Sequence, residues 1–82
     1  MDMNLTKKEL DVLNFINETN LKKYRFKINT TSIADHFSMS ETHAQEMVER
    51  FKEKGLIKKK KNSYSFAQVA LEVLAEGIFS NL

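Results

Sequence analysis

Ser40-Glu41-Thr42-His43-Ala44-Gln45-Glu46-Met47-Val48-Glu49-Arg50-Phe51-Lys52-Glu53-Lys54-Gly55-Leu56-Ile57-Lys58-Lys59-Lys60-Lys61 (residues 40–61) changes its periodicity at the glycine. Ala44, Met47, Val48 and Phe51 recur at three- and four-residue intervals, which is the spacing of one helical face. Ser40 stands where its hydroxyl can cap the first turn, so a helix is predicted from Glu41 to about Lys54. Gly55 is placed to close it as a left-handed residue. Beyond the glycine, Leu56 to Lys60 and Ser63 to Phe66 form two short runs that turn near Lys61-Asn62, where asparagine tolerates positive φ. In such a hairpin Lys58 and Lys60 point one way and Lys59 and Lys61 the other, so the segment cannot lie flat on a core and must protrude.

The same stretch carries most of the charge asymmetry. Arg50, Lys52, Lys54 and Lys58 to Lys61 oppose the single acid Glu53, seven bases less one acid, against a net charge of only +2 for all 82 residues. Asp35, Glu41, Glu46 and Glu49 make the preceding stretch acidic, and both ends of the chain are acidic too. A locally basic patch on a nearly neutral chain is the electrostatic footprint of contact with a polyanion. The bland alternative is a solvated lysine tip that also blunts an exposed strand edge.

Working outward toward the N-terminus, Thr30 or Thr31 can cap a short helix through Ile33, Ala34 and Phe37 that ends at Ser38-Met39. Tyr24-Arg25-Phe26-Lys27-Ile28-Asn29 alternates apolar and polar residues and predicts a half-buried strand with a basic outer face. Lys22, Lys23, Arg25 and Lys27 either extend the basic patch or form a solvated edge. Thr6-Lys7-Lys8-Glu9 is a capping box flanked by Leu5 and Leu10 as a hydrophobic staple, so a first helix starts at Lys7 and fades near Thr19-Asn20. Its inward stripe is Leu10, Leu13 and Ile16, leaving Val12 and Phe15 as surplus apolar surface. Toward the C-terminus, residues 67–82 are predicted helical with Leu71, Leu74, Ile78 and Leu82 on one stripe.

Thr30-Thr31-Ser32-Ile33-Ala34-Asp35-His36-Phe37-Ser38-Met39-Ser40-Glu41-Thr42-His43-Ala44 resembles the first helix, turn and start of the recognition helix of the winged helix-turn-helix family. Phe51-Lys52-Glu53-Lys54-Gly55-Leu56-Ile57 resembles the junction at which such proteins enter the wing. The likeness spans about residues 5–66, and the MarR-like transcriptional regulators are the nearest broad group. It implies an α+β, mostly α fold: a three-helix core, a small antiparallel sheet with a wing hairpin, and a C-terminal helix, all in a single domain over residues 1–82. It also implies a double-stranded DNA partner, with the third helix in the major groove and its first turns, Ser40, Glu41, Thr42, His43 and Gln45 with Glu46 at the margin, facing the bases. Gln45 could pair with adenine, Thr42 could meet a thymine methyl or a phosphate, and Thr31 could reach the backbone. Lys58, Lys59, Lys60, Lys61, Asn62 and Tyr64 would grip phosphates from the wing. Glu46, Glu49 and Glu53 lie near the outward line of the same helix, with Arg50 and Lys52 placed to offset Glu46 and Glu49. That acidic stripe keeps open a protein-interaction module binding a basic partner, or a sequence-neutral nucleic-acid binder in a replication or phage-type complex.

Val69, Val73, Ile78, Phe79 and Leu82 give the last helix more apolar surface than one packing face hides, and Val12 and Phe15 show the same surplus. These seven residues are the expected interface of a homodimer that would present two recognition helices to a palindromic site. The alternative is that the helix caps a small core and leaves a few apolar side chains exposed. The chain has no cysteine, which rules out disulfides, thiolate metal sites and cysteine nucleophiles and agrees with a reducing compartment. No segment has the length of a membrane span, nothing at the N-terminus resembles a signal peptide, and the cytoplasm is the expected location. His36 and His43 lack zinc-ligand spacing, although Asp35 and Glu41 lie near the same turn, and the only glycines, Gly55 and Gly77, form no phosphate loop. Neither an enzymatic activity nor a cofactor is expected.

Overall fold

The computed structural model of the protein describes residues 5–21 and 23–80, of which 77–80 by backbone alone. Among the described residues, four helices and one hairpin follow in order: α1 (Lys7–Thr19), α2 (Thr30–Phe37), α3 (Glu41–Glu53), β1 (Ile57–Lys60), β2 (Ser63–Phe66) and α4 (Gln68–Ser80). The strands are antiparallel, with Ile57 opposite Phe66 and Lys60 opposite Ser63. This is the winged-helix arrangement, α+β and mostly helical.

Local chemistry sets most of the boundaries. At the start of α1 the Glu9 N–H donates to Thr6 Oγ1 at 3.1 Å and the Thr6 N–H donates to Glu9 Oε1 at 3.0 Å, the complete capping box. At the start of α3 the His43 N–H donates to Ser40 Oγ at 3.0 Å. Its far end closes with Gly55 at φ 74°, the Gly55 N–H on the Lys52 carbonyl at 3.0 Å and the Leu56 N–H on the Phe51 carbonyl at 2.9 Å. That pair of bonds is a Schellman motif, and the buried Phe51 and Leu56 supply its apolar contact. Only glycine holds this φ without a steric penalty. The end of α2 uses the same device on Ser38 at φ 54°, with the Met39 N–H on the Ala34 carbonyl at 3.0 Å.

The core gathers Val12, Leu13, Ile33, Met47, Phe51, Leu56 and Ile57, all essentially inaccessible, where α1, α2, α3 and the base of the hairpin meet. Burying each such side chain contributes about 1.5–3 kcal/mol.

Several sequence expectations change. Asn29, not Thr30 or Thr31, caps α2, its Oδ1 accepting the Ser32 N–H at 3.1 Å. Because Asn29 is taken by that helix, the expected strand at 24–29 shrinks to one bridge, in which Phe26 and Tyr64 exchange backbone bonds of 2.9 and 2.7 Å. Tyr24, expected inward, is 83% exposed. Val12 has no accessible surface, so it belongs to the core of one chain and offers nothing to a second copy, while Leu10 is only half-buried at the core edge. On α4 the buried positions are Ala70 and Leu74, continuing from Ala67 before the helix, and Leu71 turns outward. In the hairpin the positive φ falls on Lys61 (57°) and not on Asn62. A positive φ at the first loop residue is a feature of the primed turns whose twist suits a tight hairpin.

Candidate nucleic-acid interface

The seven clustered bases divide into two groups with different surroundings. Arg50, Lys52 and Lys54 are held to carboxylates on the body. Arg50 Nη1 lies 3.8 Å and Lys54 Nζ 3.5 Å from Glu9 Oε2, and Lys52 Nζ lies 3.1 Å from Glu49 Oε1. Lys58, Lys59, Lys60 and Lys61 are exposed on the hairpin, and among the described residues they enter no ion pair. Their charge is therefore uncompensated locally, in the segment that projects from the body.

The wing is stiffened from one side. Lys59 and Tyr64 are cross-strand partners, and the Lys59 ammonium sits 5.7 Å from the centre of the Tyr64 ring. A cation over an aromatic face is worth about 0.5–1 kcal/mol at an exposed site. Tyr64 is half-buried and pairs through its backbone with Phe26. From the loop before Phe26, Arg25 donates from Nη1 to Ser63 Oγ at 2.9 Å, and Ser63 Oγ donates to the Lys60 carbonyl at 3.3 Å. Arg25 thus joins the wing patch, an assignment that alternation along the chain left open. Asn62 is exposed at the tip.

Along α3 the residues expected near bases are all at the surface: Thr42, His43 and Gln45 are exposed, as is the capping Ser40. Thr31 is exposed as well, but its hydroxyl donates to Glu41 Oε1 at 3.1 Å, and Thr30 approaches the same oxygen at 3.5 Å. Glu41 therefore places a carboxylate beside the starts of both α2 and α3, where helix dipoles favour negative charge.

Glu46, Glu49 and Glu53 are exposed on α3. The expected offset of Glu49 by Lys52 is present, whereas Arg50 turns to Glu9 of α1 and not to Glu46. The physical reason is burial: Glu9 is 4% exposed and needs compensation more than a solvated glutamate does. Its pKa lies below the ordinary value, chiefly because the Thr6 amide donates to the carboxylate; burial opposes this shift and the Lys54 charge assists it. Sequence periodicity presents Glu9 as a local cap and gives no signal of its long-range partners.

His36 stacks on Phe15 with ring centres 4.3 Å apart, which accounts for both side chains on the α1–α2 surface. Among the described residues, no three His, Cys, Asp or Glu side chains gather as a metal-ligand set, and no helix is long and apolar enough to cross a membrane.

Residues 19–68 match the family model described as FeoC like transcriptional regulator. No curated protein matches the sequence. The matched segment runs from the end of α1 through α2, α3 and the wing to the first residue of α4, which is more than half of the chain and includes every basic residue of the wing. This supports a winged-helix regulator without placing it among the MarR-like group. The chain belongs to the FeoC-like transcriptional regulator family.

Proposed function

We propose that this regulator acts by occupying duplex DNA as a homodimer, with the wing lysines on phosphates and the first turns of α3 in the major groove. The observation that carries the reading is the contrast within the basic cluster. Three bases are tied to carboxylates on the body, while Lys58 to Lys61 stand exposed on a projecting hairpin without an ion pair among the described residues. Lysines on such a ribbon fix register through phosphates without reading sequence. Base reading falls to Thr42, His43 and Gln45, with Ser40 at the helix start. Arg25 adds a fifth cation to the wing, and Tyr64 and Asn62 can donate to the same backbone. The winged-helix unit spans residues 5–66, and the helix that follows packs on it through Ala70 and Leu74 and lends its outer side to self-association.

Changing Lys58 to Lys61 together into alanine tests this. The variant should bind every duplex more weakly, and the slope of log affinity against log salt should flatten by about 0.9 for each phosphate that is no longer neutralised. Unchanged affinity and slope would remove the wing from the interface.

A second reading has its own support. Glu46 and Glu53 are exposed without an ion-pair partner among the described residues, since Arg50 is drawn to Glu9. That acidic face of α3 suits a basic protein partner, and a complex that survives the lysine changes but is abolished on reversing Glu46 and Glu53 to lysine would favour it.

A further inference from the structure

Leu21, Tyr24 and Leu71 are the strongly exposed large apolar side chains among the described residues, at 62%, 83% and 44%. All three line one groove of about 300 Å³, between the end of α1, the loop after it, the end of β2 and the first turns of α4, with Phe66 as a further apolar wall. Single exposed apolar residues are ordinary, but their convergence on one concave site marks an interaction surface. No residue of α3 and none of the wing lysines lines the groove, whose nearest approach to the proposed DNA surface is Tyr24, next to Arg25.

We infer that the occupant is a second copy of this chain, so that Leu71 of each copy enters the groove of the other. This names the contact face of the homodimer proposed above and rests on that reading. An isologous interface requires a surface complementary to itself, so that residue i meets j and j meets i. The charges around the groove are compatible with that requirement. Leu71 of α4 forms one wall of the hollow with Leu21, Tyr24 and Phe66, and 44% of it remains open to a partner. Lys23 lines the groove and Glu72 adjoins Leu71; both are exposed, and among the described residues neither forms an ion pair. Docking about a two-fold axis near Leu71 would bring Lys23 of each copy toward the acidic Glu72 side of the partner's α4, once on each side of the axis. The apolar residues singled out by periodicity fit less well. Val12 is wholly internal, and Phe15 and Val69 already pack on the core. Val73 is half-buried and lies one turn from Val69; the side chains of Ile78 and Phe79, and all of Leu82, lie outside the described residues.

Sedimentation velocity on the full chain without DNA tests the inference. Wild type should run as a dimer, and Leu71→Asp should run as a monomer up to about 100 µM. Its thermal melt should be independent of protein concentration and close to that of wild type diluted until it is monomeric, because Leu71 is not a core residue. Lys23→Glu and Glu72→Lys should each raise the dimer dissociation constant by about tenfold, counting two exposed pairs turned repulsive, and the double change should restore it. A wild type that is monomeric throughout overturns the inference and leaves the groove to a different partner. A dimer indifferent to Leu71→Asp, or no restoration in the double variant, overturns it equally. A monomer that still binds DNA with steep salt dependence separates this failure from failure of the DNA reading; a dimer that binds no DNA does the reverse.

Discussion

Replacing Glu9 with glutamine, and separately with alanine, divides two roles that one carboxylate performs. Its Oε1 accepts the Thr6 N–H at 3.0 Å, and its Oε2 faces Arg50 at 3.8 Å and Lys54 at 3.5 Å. Glutamine keeps an oxygen for the Thr6 amide and loses the charge; alanine loses both. The two ion pairs have partly exposed cationic partners and contribute about 0.5 kcal/mol each, so Glu9→Gln should cost about 1 kcal/mol. Loss of the capping acceptor adds about 1 kcal/mol, so Glu9→Ala should cost about 2 kcal/mol. For a domain of this size 1 kcal/mol corresponds to about 4–8 °C in Tm, which calorimetry or circular dichroism resolves easily. The pH dependence has a definite sign. The folded state holds this carboxyl below its ordinary value of 4.5, so its contribution is complete above that pH and is lost as the pH falls through the lowered folded value. The gap between wild type and Glu9→Gln should therefore close in acid. A gap that persists there, or glutamine and alanine variants that melt together, would refute the division of roles.

Gly55→Ala should cost about 1 kcal/mol, measured by denaturant unfolding, because φ is 74° but an added Cβ would meet nothing within 4 Å. A loss above about 3 kcal/mol would mean that packing, and not backbone conformation, fixes the glycine. Gln45→Ala should reduce discrimination at one base pair by about 1–3 kcal/mol in binding to a selected site; equal weakening on all sequences would count against base reading by this residue.

The parts of the fold legible in the sequence are those in which independent local signals agree. On α3 the Ser40 cap, the spacing of Ala44, Met47, Val48 and Phe51, and the Gly55 stop all specify the same element, and the structure has it with those four residues buried. The capping box at Thr6 and Glu9 is equally plain. What the sequence hides depends on distant partners. Glu9 carries a local capping signature, yet its burial and its hold on Arg50 and Lys54 arise from the packing of α1 against the end of α3. The segment at 24–29 has strand periodicity, but pairing needs a neighbour in register, and only Phe26 finds one before Asn29 is drawn into capping α2. On α4 a nearly continuous apolar run supports more than one stripe, so periodicity does not decide between Leu71 inward and Leu71 outward. At the candidate interface, the exposure of Lys58 to Lys61 follows from lysine occupying both faces of an alternating segment. The link from Thr31 to Glu41 joins two helices across a turn, and the recruitment of Arg25 by Ser63 spans 38 residues; neither has a sequence signature.

Whether the wing's uncompensated charge meets a polyanion is tested most directly by fluorescence anisotropy, with the wild-type protein and a labelled duplex of random sequence at two salt concentrations about fourfold apart. Micromolar or tighter binding is expected at the lower salt and a fall of at least about tenfold at the higher, as release of counterions by several phosphate contacts requires. No binding at low salt, or binding insensitive to salt, would contradict a polyanion-binding wing and make the acidic face of α3 the surface to pursue.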